Sequence, residues 1–249
     1  MVKGILYFHQ GFTDIFNCLG LIDYYMVRYD ELIVLCAERA QDIIKFYIKD
    51  KVNVSIILVN YSIPQHNQNM VNYLKDNKNI QVGDYDLLFH GVHEIERVDK
   101  YKNGFSLAMQ KNYFFVKSFY VGYDIDYITR IDCFNITRDF VLEDTIYNNF
   151  IDKYGENYIL YHEIIETPRK PDIAYVNLAC ISTTFFDYIK VLENSIELHL
   201  KDSVWSILVY LLACKYNLFE NKKITIYGKR GLNAYYNDPI KLNNWIIKS

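Results

Sequence analysis

The sequence lacks the patterns that identify secreted, membrane-spanning and zinc-binding proteins. No apolar run approaches the roughly 18 residues that a membrane span needs. The apolar stretch at residues 5–8 is too short for a signal peptide, so we expect a cytoplasmic location. No Cys-x-x-Cys pair occurs, which favours buried free thiols in a reducing compartment over a zinc site. The five cysteines are Cys18, Cys36, Cys133, Cys180 and Cys214.

An excess of one charge is also missing. Lysine and arginine number 27 against 30 acidic residues, a net charge of −3, whereas a nucleic-acid-binding surface is strongly basic. We therefore expect no nucleic-acid partner. What the chain does have is 51% hydrophobic residues in 249, enough for one large domain or two small lobes. The 24 tyrosines are typical of AT-rich genes, such as those of large DNA viruses and low-GC microbes.

Short apolar runs alternate with amphipathic segments in the first part of the chain. The runs predict buried strands, and the segments with apolar residues three and four apart predict helices. Strands that alternate with helices of this length imply parallel strands joined by right-handed crossovers. The predicted strands are residues 4–8, 31–36, 52–59 and 85–89, and the predicted helices are residues 13–29, 39–49, 65–76 and 107–121.

The same rhythm restarts at residue 158, after an irregular stretch at residues 122–134 and a helix at residues 140–154. We therefore predict an α/β fold of two Rossmann-like lobes with parallel sheets and a central cleft. The N-terminal lobe would span residues 1–155 and the C-terminal lobe residues 156–249. The second series has strands at residues 158–162, 174–178, 196–200 and 224–227 and helices at residues 183–193 and 203–216.

A polar loop follows the first predicted strand and opens the first helix. Gly11 permits a tight turn and close approach by a ligand, and Thr13 or Asp14 can cap the helix. The free N–H groups of such a helix favour an anion or a sugar hydroxyl, and parallel sheets bind ligands at their carboxyl strand ends. A plain capped turn is the alternative. The loop is His9-Gln10-Gly11-Phe12-Thr13-Asp14.

Three junctions in the second half repeat this arrangement. His162 ends the first predicted strand of the second lobe. The triplet at residues 201–203, Lys-Asp-Ser, joins a predicted strand to a predicted helix, and the adjacent cations at residues 229 and 230 lie between two glycines after another strand. Cations and a helix start suit a diphosphate. Helix caps and a basic solvated turn would explain the same residues without a ligand. These residues are His162, Lys201, Asp202, Ser203, Lys229 and Arg230.

Further polar residues follow the fourth predicted strand. His90 and His93 lie three apart, with Arg97 shortly after them. A hydrogen-bonding role in the cleft is favoured over a metal site, because no third ligand is evident nearby. Two Asp-x-Asp triplets, at residues 84–86 and 124–126, match a short pattern that can hold a divalent cation but often arises by chance. We therefore expect no metal.

Two segments resemble a known family. FHQGFTDIFNCLGLIDYY, at residues 8–25, resembles the first strand, glycine loop and helix of two-lobed glycosyltransferases of the GT-B type. VLENSIELHLKDSVWSILVYLL, at residues 191–212, resembles the nucleotide-sugar lobe of the same enzymes. O-fucosyltransferases and heptosyltransferases show comparable patterns.

The resemblance implies roles for the candidate residues. It assigns the acceptor and the catalytic base to the first lobe, which points to Asp14, with His9 as the other candidate. A base of this kind lies beside the acceptor hydroxyl, and cationic side chains stabilise the departing diphosphate, so neither a metal nor another cofactor is implied. The implied nucleotide-sugar-binding residues are Gly11, His162, Lys201, Asp202, Ser203, Lys229 and Arg230.

The resulting hypothesis is a metal-independent glycosyltransferase that moves a sugar from a nucleotide-sugar donor to a glycan or other hydroxyl acceptor. One alternative is a non-catalytic glycan- or protein-binding module with a degenerate transferase fold, in which exposed tyrosines contact the partner. Another is a different phospholigand enzyme that acts on sugars.

Overall fold

The structure, a computed structural model, confirms an α/β protein with two parallel sheets. The chain divides into two compact units, Met1–Asn135 and Ile136–Ser249. The structure describes residues 1–8, 11–59, 67–78, 80–90, 115–163, 170–178, 185–228 and 245–248.

The first unit contains a four-stranded parallel sheet in the order β3-β2-β1-β4. Its strands are β1 (Lys3–Phe8), β2 (Glu31–Ala37), β3 (Val54–Val59) and β4 (Asp86–His90). Its α-helices are α1 (Phe12–Met26), α2 (Gln41–Ile48), α3 (Asn67–Lys78), α4 (Phe115–Val121) and α5 (Thr129–Asp132), with 3-10 turns at Glu38–Ala40 and Val82–Asp84.

The apolar runs of the sequence form the core of this unit. Ile5 pairs in register with Ile33 on one side and with Leu87 on the other. Ile5, Ile33 and Phe89 belong to one buried cluster that also takes in Leu74 of α3. Strands covered on both faces read as continuous apolar runs, which is why these strands were readable from the sequence.

The second unit contains a five-stranded parallel sheet in the order β6-β5-β7-β8-β9. Its strands are β5 (Tyr158–Tyr161), β6 (Ala174–Asn177), β7 (Glu197–Lys201), β8 (Lys223–Tyr227) and β9 (Trp245–Lys248). Its α-helices are α6 (Phe140–Tyr154), α7 (Ile189–Asn194) and α8 (Val204–Tyr216), with a 3-10 turn at Phe185–Tyr188 before α7.

Helix α8 is buried along most of its length. Every residue from Trp205 to Ala213 is buried, so the helix is apolar on all sides rather than amphipathic. Ser203 is its N-cap, and Asn217 ends it in the left-handed conformation that satisfies terminal carbonyls.

The division between the units precedes α6, whereas the sequence placed it after that helix, at residue 155. Arg138, just before α6, explains why this helix belongs to the second unit. Its guanidinium donates to Glu143 of α6 at 2.9 Å and to Glu193 of α7 at 2.7 Å, so charge-assisted bonds join α6 to the second unit. Periodicity along the chain does not reveal such a pairing.

Three further differences separate the observed elements from the predicted ones. Residues 122–134 were expected to be irregular but contain the short helix α5. Strand β9 was not among the predicted strands. Residues 107–114 of the predicted fourth helix lie outside the described part of the chain. Within the described ranges, no helix is both long and apolar enough to cross a membrane.

Candidate functional site

The strand order of the second unit defines where a ligand would bind. Counted from β5, the order is 2-1-3-4-5, so the chain's direction of winding reverses between β5 and β7. Open parallel sheets bind ligands outside the carboxyl strand ends at such a switch point. His162 directly follows β5, and its backbone N–H donates to the carbonyl of His199 on β7 at 2.9 Å. Lys201 is the last residue of β7. The structure therefore brings His162 and Lys201 to adjacent strand ends.

His162 carries a polar atom that the described residues leave unsatisfied. Its Nδ1 is shielded from solvent and has no hydrogen-bond partner in the described ranges. Burial lowers the pKa of His162 below the usual 6.5. The positive charge of Lys201 lowers this pKa further, whereas the negative charge of Glu163 raises it. The imidazole is therefore neutral at pH 7, and its Nδ1 can donate or accept one hydrogen bond with a ligand, depending on the tautomer.

Lys201 forms an ion pair with Glu163, the second residue after β5. Both side chains are about half exposed, at 52% and 47%, so the pair contributes little to stability and a phosphate can replace the carboxylate. The hydrogen bond from Lys201 lowers the pKa of Glu163, which is therefore ionised at pH 7. Glu163 has φ of +63°, a left-handed conformation that is unusual for glutamate and concentrates at ligand sites.

The start of α8 completes this edge of the sheet. Ser203 and Ser206 have a capping-box arrangement, in which Ser206 Oγ accepts from the Ser203 N–H at 3.0 Å. Ser203 Oγ is shielded from solvent and faces the backbone N–H of Ser206 in this capping box, so it belongs to the helix cap. The first turn of a helix attracts anions through its free N–H groups and its dipole.

Asp202 and Gly228 hold the ends of β7 and β8 together. The Asp202 N–H donates to the carbonyl of Tyr227 at 2.9 Å. Gly228 has φ of +146°, and a Cβ there would lie 3.0 Å from Asp202 Cβ, so the position requires glycine. The backbone of Asp202 therefore joins the ends of β7 and β8, and Ser203, rather than Asp202, is the N-cap of α8.

Sequence reasoning missed a row of polar residues on this sheet. His199 on β7 lies between Glu197 and Tyr227, with its Nε2 3.1 Å from Glu197 Oε2 and its Nδ1 3.1 Å from the Tyr227 hydroxyl. Glu197 and His199 are 8% and 6% exposed. The alternation of polar and apolar residues in Glu-Leu-His-Leu-Lys, at residues 197–201, was the signal that could have revealed this polar face.

The first unit holds the other predicted loop. Gly11 precedes α1 as its N-cap, and its carbonyl accepts from the Ile15 N–H at 2.9 Å. The prediction that Thr13 or Asp14 caps the helix is wrong, because α1 begins at Phe12. Gly11 has φ of −67°, so its backbone does not require glycine. Asp14 lies in the first turn of α1 and is half-buried, while His9 lies outside the described residues.

His90 is not the cleft residue that the sequence suggested. It is fully buried at the end of β4, with Nε2 2.8 Å from the Tyr25 hydroxyl and Nδ1 2.6 Å from the Phe119 carbonyl. Burial lowers its pKa to about 4, so the ring is neutral and both nitrogens are engaged inside the unit. A histidine in this position stabilises the fold and cannot also contact a ligand. The predicted residues His93, Arg97, Lys229 and Arg230 lie outside the described part of the chain.

Metal-binding side chains do not cluster in the described ranges: no group of three or more histidine, cysteine or acidic residues there could hold an ion. In the two Asp-x-Asp triplets, Asp86 accepts from the Tyr29 hydroxyl at 3.1 Å and Asp126 accepts from the Ile128 N–H at 3.2 Å.

Comparisons with protein-family models, with curated proteins and with solved structures found no match to this chain.

Proposed function

We propose that the protein is a glycosyltransferase that transfers a sugar from a nucleotide-sugar donor to a glycan or other hydroxyl acceptor. The observation that carries the proposal is the carboxyl edge of the second sheet. There the switch point between β5 and β7 gathers Lys201, the start of α8 and a shielded polar atom, His162 Nδ1. A diphosphate would replace Glu163 as the partner of Lys201 and bind at the start of α8, and a hydroxyl beside it would pair with His162 Nδ1.

In this proposal the second unit binds the donor. Lys201 and the N–H groups of α8 would stabilise the negative charge that develops on the departing nucleoside diphosphate, as preorganised donors do. Arg230 and Lys229, as the family resemblance implies, would add two cations. The two-lobed GT-B arrangement is part of the same proposal.

Asp14 is the proposed base in the first unit. An ionised carboxylate can accept the proton of the acceptor hydroxyl as the new glycosidic bond forms, while the bond to the nucleoside diphosphate breaks and its electron pair leaves with the phosphate. His9 is the other candidate for this role.

A thermal-shift experiment tests the donor site. A panel of uridine, guanosine, adenosine and cytidine diphosphates is added at millimolar concentration, and at least one should raise Tm by about 5 °C, because a ligand bound only to the native state stabilises it. Lys201→Ala should weaken binding of that nucleotide about tenfold or more, since it removes a charged hydrogen bond.

Lys190→Ala is the matched control. Lys190 is another ion-paired lysine of the second unit, but it pairs with Asp144 and lies on α7 rather than at a strand end. It should leave the nucleotide-induced shift unchanged. The proposed site would be contradicted if both variants lost the nucleotide-induced rise in Tm equally, or if none of the four nucleotides raised the Tm of the wild type.

A further inference from the structure

Three polar residues form a continuous hydrogen-bonded row on one face of the second sheet. Glu197 and His199 are alternate residues of β7 and so project to the same face, while Leu198 and Leu200 between them project to the opposite, fully buried face. Tyr227, on β8, reaches His199 across the strands, and the two rings stack at 28° with centroids 6.0 Å apart. The proton positions along this row decide what Tyr227 can offer a ligand.

Glu197 is an ionised carboxylate. Lys170 and Lys223 each donate to it at 2.9 Å. Burial alone would raise the pKa of Glu197, but the hydrogen bonds from Lys170, Lys223 and His199 hold it at about 2. An ionised carboxylate only accepts hydrogen bonds, so His199 Nε2 carries a proton and donates it to Glu197.

His199 is a neutral imidazole at pH 7.5. Burial lowers its pKa below 6.5, and Lys223 and Lys248 act in the same direction, although Glu197 acts against them. A neutral imidazole has one N–H, which is already committed to Glu197. Its Nδ1 is therefore an acceptor, and the Tyr227 hydroxyl must donate to it.

The oxygen of Tyr227 is then left as an acceptor only. Burial raises the pKa of Tyr227, so the phenol keeps its single proton, and that proton points to His199. Tyr227 is half-buried, ends β8 and lies in register with Lys201 at the predicted donor site. The phosphate oxygens of a nucleoside diphosphate are mostly deprotonated at pH 7.5 and would be repelled by such an oxygen, whereas a sugar hydroxyl always carries a proton that it can donate.

We propose that Tyr227 is a hydroxyl-selecting contact, whose oxygen accepts a hydrogen bond from a ribose hydroxyl of the nucleotide that binds at Lys201 and Ser203. Glu197 and His199 are positioning residues that fix the direction of this bond. The inference rests on the proposed function and names one part of the ligand that the site recognises.

The first test needs no ligand. Two-bond ¹H–¹⁵N correlation spectra of the whole protein at pH 7.5 should show His199 as a neutral ring with a protonated Nε2 and an unprotonated Nδ1. A protonated Nδ1, in either the other tautomer or the charged ring, would overturn the inference, because Tyr227 could then direct its proton to a phosphate.

The second test measures dissociation constants for Tyr227→Phe and the wild type. The probe is the nucleoside diphosphate of the four-member panel that binds most tightly, and inorganic pyrophosphate serves as the probe that lacks a ribose. Loss of one hydrogen bond should weaken nucleotide binding roughly 5- to 10-fold and leave pyrophosphate binding unchanged. Tyr147→Phe, which removes a hydroxyl from a half-buried tyrosine on α6 of the same unit, is the matched control and should change neither.

A third probe separates ribose from base. The 2′,3′-dideoxy form of the same nucleotide should bind equally to the wild type and to Tyr227→Phe. A persisting difference would show that the base is the donor and would overturn the ribose assignment. Equal weakening of nucleotide and pyrophosphate, or no weakening of either, would also overturn it. If no nucleotide binds the wild type, the proposed function itself fails, and that outcome is distinct from a failure confined to Tyr227→Phe.

Discussion

A single histidine shows how burial changes chemistry at the scale of one residue. His90 is enclosed by the Tyr25 hydroxyl, the Phe119 carbonyl and the ring of Tyr123, whose centroid is 4.0 Å away. Its Nδ1 donates to the carbonyl, so its Nε2 must accept from Tyr25. No proton is left for a second role, which is why a histidine at a strand end can be structural.

His90 should titrate with a pKa of about 4 in the native protein, against 6.5 in the unfolded chain. Between these values the unfolded chain binds a proton that the native protein does not. The contribution of His90 to stability is therefore complete above pH 6.5 and falls as the pH drops towards 4, by about 3 kcal/mol in total. An NMR titration of the imidazole checks this: the ring should remain neutral at pH 5. A midpoint near 6.5 would show that the ring is open to water.

For single residues, the sequence predicted where polar side chains lie along the chain better than it predicted what they contact. Lys201 and Ser203 were found because they follow an apolar run and precede another, a local pattern. The burial of His90 could not be found in this way, since its partners Tyr25 and Phe119 are distant in the chain. The ion pair of Glu163 with Lys201 likewise depends on strand order.

At the scale of elements, the close approach of α1 and α5 depends on Gly20. A Cβ at this position would lie 2.9 Å from the Arg130 carbonyl oxygen and 3.0 Å from the Thr129 carbonyl oxygen. Both are backbone atoms, so the helices themselves would have to separate. Tertiary packing here outweighs the low helix propensity of glycine.

Gly20→Ala should therefore lower the free energy of unfolding by about 1–3 kcal/mol, as overpacking of a core does, despite alanine's better helix propensity. Gly83→Ala is the control, because nothing lies within 4 Å of a Cβ there. Urea unfolding of both variants provides the measurement. A Gly20→Ala variant as stable as the wild type would mean that α1 and α5 pack less closely than described.

The types of the elements were predictable where a run was long and apolar. Strands β2 and β4, and helices α6 and α8, lie within a residue of the predicted bounds. Strand order was not predictable, because register depends on pairing between distant segments. The location of the switch point at β5 and β7 therefore comes from the structure alone.

At the scale of the whole molecule, the chain is two compact α/β units, each with its own parallel sheet. The sequence predicted two such halves, because the alternation of strand and helix stops and restarts. The central cleft that it also predicted stays a prediction. The proposed function assigns donor binding to the second unit and the catalytic base to the first. Mutations should therefore be able to remove turnover without removing nucleotide binding.

A mass-spectrometric screen of nucleotide sugars incubated with the whole protein tests the proposed sugar transfer. The wild type should transfer the sugar of at least one donor to water and release the nucleoside diphosphate. Asp14→Asn should lose turnover about 10²- to 10⁴-fold, as loss of a general base does, while it still binds that nucleotide. If the wild type binds a nucleotide but consumes no donor, the protein is a binding module, and if it neither binds nor consumes one, the proposed function is wrong.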